Sequence, residues 1–381
     1  MPAARITFVT DGLRCGGVER AALALVQGLK ERGYSLSLVT LSSPANDFFS
    51  LPPDVPRLAL KSATERAMTL LDAPTRAPAR IERLRTLIEA TNPDLVVAHA
   101  PQVNVPTLLA ARSDRYPVIV TEHGDVAPRR WRKWLWYRLR RTTYARAAHV
   151  VSVSEAVDRN VAWLPPQRRA VIHNPFRIAR LDVTSPPRSS QRPTIVSVGR
   201  LVHAKGHDVL LRAFERIACR FPQWQLRIVG EGELRPALQR QAATLADQVL
   251  FTGALRDPIP VLAGAQLFAM ASRYEGFPMA HGEALMCGIP VIATDCPSRP
   301  RRGWLARPEP GGVRELVRHG LDGLLVPPEN PDAFADALAT CMSDEDLRAR
   351  MAREARLGIQ RFSLDKALDR WEEVFRKVRP S

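Results

Sequence analysis

Apolar positions along this chain alternate between two rhythms. A short unbroken run, Ile6-Thr-Phe-Val-Thr10, reads as a strand buried on both faces; after a glycine-bearing turn at Gly16-Gly17 the apolar positions take helical spacing over 19–32. Gly33 stops that helix and 35–41 reads as a second strand, completing one βαβ unit. The stretch 44–78 is proline-rich and weakly periodic, and reads as loops and short helices. Order resumes with a helix near 81–89, a strand at 94–98, a helix after Pro101 and a strand at 117–121. A further strand at 149–153 is followed by Ser154, a helix cap by type.

Residues 184–193, with Pro186, Pro187, Ser189, Ser190 and Pro193, have linker composition, and beyond them the strand-helix rhythm restarts. Strands are expected at 194–198, 225–229, 249–252, 267–270, 290–293 and 323–326. Two successive series of this kind imply an α/β protein of two Rossmann-like domains, each a parallel sheet with helices on both faces, facing across a cleft. The expected division is a domain at 1–180, a linker at 181–192, a second domain at 193–362, and an amphipathic C-terminal helix within 363–381 able to pack back across the boundary. A length of 381 residues agrees with two cores.

Composition narrows the class. Apolar residues make up 45% and charged residues 25%, which fits a folded globular chain, and no apolar run has the length of a bilayer span. Residues 1–9 lack the features of a secretory signal. Five scattered cysteines without metal-ligand spacing fit a reducing cytoplasm better than a disulfide framework. The net charge of +16 favours polyanionic partners: phosphorylated ligands, anionic lipid or nucleic acid.

The candidate chemistry sits where strands end. Glu275-Gly276-Phe277-Pro278 follows a strand and leads into a helix carrying Glu283. In an open parallel sheet this is where ligands bind, and carboxylates there suit sugar or ribose hydroxyls. Arg200 and Lys205 lie on the loop after the first strand of the second domain, where two cations can meet a negatively charged ligand. Gly311-Gly312 opens a short helix and offers backbone N–H groups as a further diphosphate cradle. His123 ends a strand of the first domain, and Gly16 and Gly17 permit close backbone approach. The segment 128–141 has no acidic residue. Trp131, Trp134, Leu135 and Leu139 share one helical stripe, flanked by Arg129, Lys133, Arg140 and Arg141. It suits either a membrane interface or a core helix with snorkelling arginines, and the charge density favours the membrane.

These motifs together, with Val171-Ile-His-Asn-Pro175, Ser197-Val-Gly-Arg-Leu201, Val229-Gly-Glu-Gly232 and Phe251-Thr-Gly253, resemble in order the retaining glycosyltransferases of family four, over nearly the whole chain. The resemblance implies the GT-B fold and a nucleoside-diphosphate sugar donor, with UDP the expected nucleotide carrier. Implied chemistry is transfer of a hexose or N-acetylhexosamine with retention, without a metal, to a lipid-linked or polysaccharide acceptor on the inner face of the membrane. It implies that Arg200 and Lys205 hold the diphosphate, that Glu275 and His123 orient the sugar, and that Glu283 holds the ribose. Gly16, Gly17, Gly276, Phe277, Pro278, Gly311 and Gly312 complete the expected contacts, and no nucleic acid is expected. Arg299, Arg301, Arg302 and Arg307 stand where the family is shorter. This leaves open whether Gly311 or the Pro297-Ser298 turn closes over the phosphates. An epimerase or phosphorylase on the same fold, and a basic nucleic-acid binder, are the competing readings.

Overall fold

The computed structural model describes residues 4–60, 77–124, 133–178, 192–299 and 310–379. The chain divides into two compact units, one of Met1–Pro175 with Leu364–Ser381 and one of Phe176–Ser363.

The first unit is built on strands β1 (Arg5–Thr10), β2 (Ser35–Thr40), β3 (Arg57–Ala59), β4 (Leu95–His99), β5 (Val118–Glu122), β6 (His149–Ser152) and β7 (Arg169–Val171). They form one sheet of order β3-β2-β1-β4-β5-β6-β7, every pairing parallel. The central β1 is registered with Ile6 beside both Leu36 and Leu95, and its side chains alternate between faces. Ile6 and Phe8 join one core, Val9 the other. β3 and β7 are strands where the sequence predicts none, and 44–56 holds only the short turn helix Pro44–Asn46. Both are three-residue edge strands, too short to show a period and defined only by the neighbour they pair with.

The helix Leu364–Val378 belongs to this first unit. Leu364, Ala367, Leu368, Trp371, Val374 and Phe375 form its buried stripe, packed into the core that holds Leu25 and Leu29 of the helix Gly17–Glu31. At Gly28 the two helices meet so closely that a Cβ would lie 2.9 Å from a Leu368 methyl. Arg32 then pairs with Asp369 at 2.7 Å and Glu372 at 3.0 Å.

The helix Lys133–Tyr144 corrects one expectation. Arg140 does not face a membrane: it is buried and pairs with the buried Glu122 of β5 at 2.9 Å. The inward face is Trp136, Arg140, Thr143 and Tyr144, while Leu135 is half exposed. Tyr144 donates to the other Glu122 oxygen, and Asn104 donates to both Tyr144 Oη and Thr121 O at 2.8 Å. A carboxylate on a central strand needs a cation once buried, and this helix supplies it. Arg129 and Trp131, and the side chains of Lys133 and Trp134, lie outside the described residues.

The second unit carries β8 (Thr194–Val198), β9 (Gln225–Val229), β10 (Val249–Gly253), β11 (Leu267–Met270), β12 (Val291–Thr294) and β13 (Gly323–Val326), in the order β10-β9-β8-β11-β12-β13, again all parallel. The near-continuous apolar character of these strands follows from helices covering both faces. His207–Ile217 and Pro331–Ser343 cover one face with Leu210, Phe214, Phe334 and Leu338. Asp344 caps the helix Glu345–Gly358 by accepting from Leu347 N at 2.8 Å, which accounts for the acidic run at 344–346.

Candidate active site

In the second unit the strand order reverses between β8 and β11, so the loops leaving these neighbours diverge and open a crevice at their carboxyl ends. The β8 loop reaches the turn His203–Lys205 and then Gly206, whose φ of +61° is the left-handed region that glycine tolerates. A Cβ here would stand 1.9 Å from Ala271 O, so the β8 loop lies directly on the beginning of the β11 loop.

That contact brings Lys205 to Glu275. Lys205 Nζ donates to Glu275 Oε1 at 2.5 Å, and Ser272 Oγ donates to the same oxygen at 2.8 Å. Glu275 also ties two further loops through its backbone: its N–H donates to Pro297 O at 2.9 Å, and its carbonyl accepts from Gly312 N at 3.4 Å. Burial on its own would raise the Glu275 pKa, but the Lys205 charge and these hydrogen bonds outweigh it and hold the carboxyl below its usual value. Glu275 is therefore ionised at neutral pH. His281 is buried nearby against Phe268, with ring centroids 5.1 Å apart and no partner for either nitrogen. Burial lowers its pKa to about 4, so it stays neutral at neutral pH.

The two turns that the sequence left as alternatives are in contact. A Cβ on Gly311 would be 2.3 Å from Cys296 O and 2.7 Å from Pro297 C, and one on Gly312 would be 1.8 Å from Gly276 O. Gly276, Gly311, Gly312 and the Pro297-Ser298 turn thus share one backbone cluster beside Glu275. Pro278 opens the helix Met279–Met286, which buries Glu283. The Phe277 ring turns inward, with centroids 6.3 Å from Phe176 and 5.3 Å from Phe362. Arg200 is exposed on the β8 loop, where Gly230 and Gly232 pack closely on Gly199 O and Leu201 O. Residues 300–309, including Arg301, Arg302 and Arg307, lie outside the described residues. No group of three or more His, Cys, Asp or Glu among the described residues is arranged to hold a metal ion.

In the first unit His123 follows β5. Its Nε2 lies 2.9 Å from Thr121 Oγ1, which in turn lies 3.3 Å from His99 Nδ1 and donates to Ala98 O at 3.1 Å. The residue is half-buried, and its Nδ1 is buried and has no partner. Burial takes His123 to about 4, and burial followed by His123's own charge takes His99 to about 3. Gly16 is extended and precedes the helix Gly17–Glu31, where a Cβ would meet only the Glu19 carboxylate. Sequence reasoning did not single out His99, Ser272 or His281. His99 alone carried a signal, being a histidine at a strand's carboxyl end.

Two family models match this chain: "Glycosyltransferase Family 4" over residues 15–180 and "Glycosyl transferases group 1" over 192–344. An uncharacterized glycosyltransferase of Haemophilus influenzae is 24% identical over 374 residues, covering 96% of this chain and 98% of that protein. The Campylobacter jejuni GalNAc-alpha-(1->4)-GalNAc-alpha-(1->3)-diNAcBac-PP-undecaprenol alpha-1,4-N-acetyl-D-galactosaminyltransferase is 22% identical, covering 98% and 99%. Among solved structures, Anabaena Alr3699/HepE in complex with UDP and glucose superposes with a TM-score of 0.77 at 21% identity, covering 98% and 99%. Two doubly wound sheets of this kind are the GT-B architecture, and the protein is a glycosyltransferase. With a family-four model over its first unit and a group 1 model over its second, the chain is a family-four-like GT-B glycosyltransferase.

Proposed function

We propose that this protein moves a hexose or N-acetylhexosamine from a UDP-linked donor, with retention of configuration, to a lipid-linked saccharide in cell-surface glycan synthesis. The observation that carries the reading is the Lys205–Glu275 ion pair at the β8/β11 reversal, the end of an open parallel sheet where ligands bind. Glu275 uses one Lys205 proton, and the remaining N–H donors of the ammonium serve the donor's diphosphate, with Arg200 as a second cation. As the bond from the anomeric carbon to the diphosphate oxygen breaks, these cations stabilise the charge that develops on the leaving group. The acceptor hydroxyl attacks from the same face and passes its proton to that oxygen, so Glu275 and His123 orient the sugar rather than move a proton. Glu283 holds the ribose, and the backbone around Gly276, Gly311 and Gly312 accompanies the phosphates. On this reading Gly16, Gly17, Phe277 and Pro278 shape the site.

UDP is supported by the Anabaena complex and a lipid-linked acceptor by the Campylobacter relative's name. No helix among the described residues is long and apolar enough to cross a membrane. The composition of the segment 128–141 supports contact with the inner membrane face through Arg129, Trp131, Lys133 and Trp134. The test is a thermal shift of the full chain with UDP, GDP and ADP, followed by transfer assays. UDP should stabilise selectively, and Lys205→Ala should lose that stabilisation and reduce turnover by about 100-fold or more. Near-normal turnover in Lys205→Ala would remove the central assignment.

A further inference from the structure

Arg273 lies two residues before Glu275, and its side chain is directed away from that carboxylate into a set of anchors on other loops. Only 13% of the side chain is exposed. Its Nη1 and Nη2 donate to Asp208 Oδ1 and Oδ2, each at 2.8 Å, and Nη1 also donates to His203 O at 2.7 Å. Nε pairs with Glu329, which follows β13 and holds a φ of +59°, uncommon for a residue with a side chain. The Arg273 backbone N–H completes the arrangement by donating to Ala204 O at 2.8 Å.

These anchors have one feature in common. His203 and Ala204 form the turn that ends in Lys205, and Asp208 lies in the first turn of the helix that begins at His207. Arg273 therefore grips the chain on both sides of Lys205, while its own main chain runs directly into Glu275. Gly206 seats the same segment on Ala271 O, immediately upstream. A planar guanidinium with five donors can hold both Asp208 oxygens, a carbonyl and Glu329 together, which an ammonium cannot. Burial alone would raise the Asp208 pKa, but Arg273 overrides it and keeps Asp208 an anion.

We infer that Arg273 is a positioning residue for donor binding: it fixes the Lys205 turn against the Glu275 loop, so that the Lys205 ammonium is presented to the donor's diphosphate. This rests on the role proposed above for Lys205. Arg273 touches no substrate and acts only through the lysine.

The experiment is a double-mutant cycle on the full chain, read as UDP affinity by titration calorimetry for wild type, Lys205→Ala, Arg273→Met and the double variant. Each single variant should weaken UDP by about tenfold or more, the worth of one lost hydrogen bond to a charged group. The double variant should bind no more weakly than Lys205→Ala, because the two changes remove the same contact. Arg273→Lys should not restore affinity. Additive losses, or unchanged UDP affinity in Arg273→Met, overturn the inference. Unchanged affinity in Lys205→Ala overturns it together with the role of Lys205, and that failure is visible in the single variant alone. Should Arg273→Met not fold, Asp208→Asn removes the fork's charged partner and enters the same cycle, with the same outcomes deciding.

Discussion

Single atoms decide much of the second unit's site. Replacing Gly206 by Ala places a methyl 1.9 Å from Ala271 O at a φ of +61°, so both clash and backbone strain oppose it. The variant should lose about 3 kcal/mol in urea unfolding and most of its activity, because the Lys205 turn is what must move. An unaltered unfolding midpoint would show that the two loops do not meet as described. Four histidines with lowered pKa values set a pH dependence. His99 lies near 3 and His123, His207 and His281 near 4, all lowered first by burial from 6.5. In the unfolded chain they bind protons from about pH 6.5 downward, whereas the folded chain does not until near pH 4. Stability is therefore full above 6.5 and falls through that window, by at most about 1.4 kcal/mol per pH unit for each histidine. Urea titrations at pH 7, 6 and 5 should show the fall, and His281→Leu should make it shallower. An equal slope in that variant would mean His281 protonates as readily folded as unfolded.

At the scale of elements, the helix Lys133–Tyr144 is held by charge as much as by apolar packing. Arg140→Met should cost about 3–5 kcal/mol, because Glu122, 1% exposed, would keep its charge without a cation. Pairing it with Glu122→Gln should recover a large part of that loss, and an additive double variant would argue against the ion pair. Within this segment it is Arg140 whose position departs from the sequence expectation. Tryptophans and arginines at helical spacing fit a membrane stripe equally well, and nothing within 128–141 announces the partner at Glu122, which lies on a different element. The strands β4, β5, β8, β9 and β11, by contrast, were legible because their apolar runs are bounded by polar turns and need no partner to be recognised.

At the scale of the molecule, the last helix closes the first unit although it follows the second in sequence. Trp371 is buried in a core shared with Ile6, Leu25 and Leu29, so Trp371→Ala should cost about 3–5 kcal/mol. Measured by urea unfolding, that loss should appear in the transition of the first unit, and a loss confined to the second unit's transition would contradict the packing.

The chain's own order determined a great deal: two strand-helix series, their parallel sheets, and the loops that carry His123, Lys205 and Glu275. These are local properties, since periodicity and turn residues are read within a dozen positions. Tertiary structure alone decided that Lys205 and Glu275, seventy residues apart, share a hydrogen bond, because the strand order makes β8 and β11 neighbours. It also decided that Gly311 and the Pro297-Ser298 turn are a single place, and that Arg140 faces inward to Glu122. Each of these depends on a partner distant in sequence, and a buried charge is tolerated only once that partner is in place.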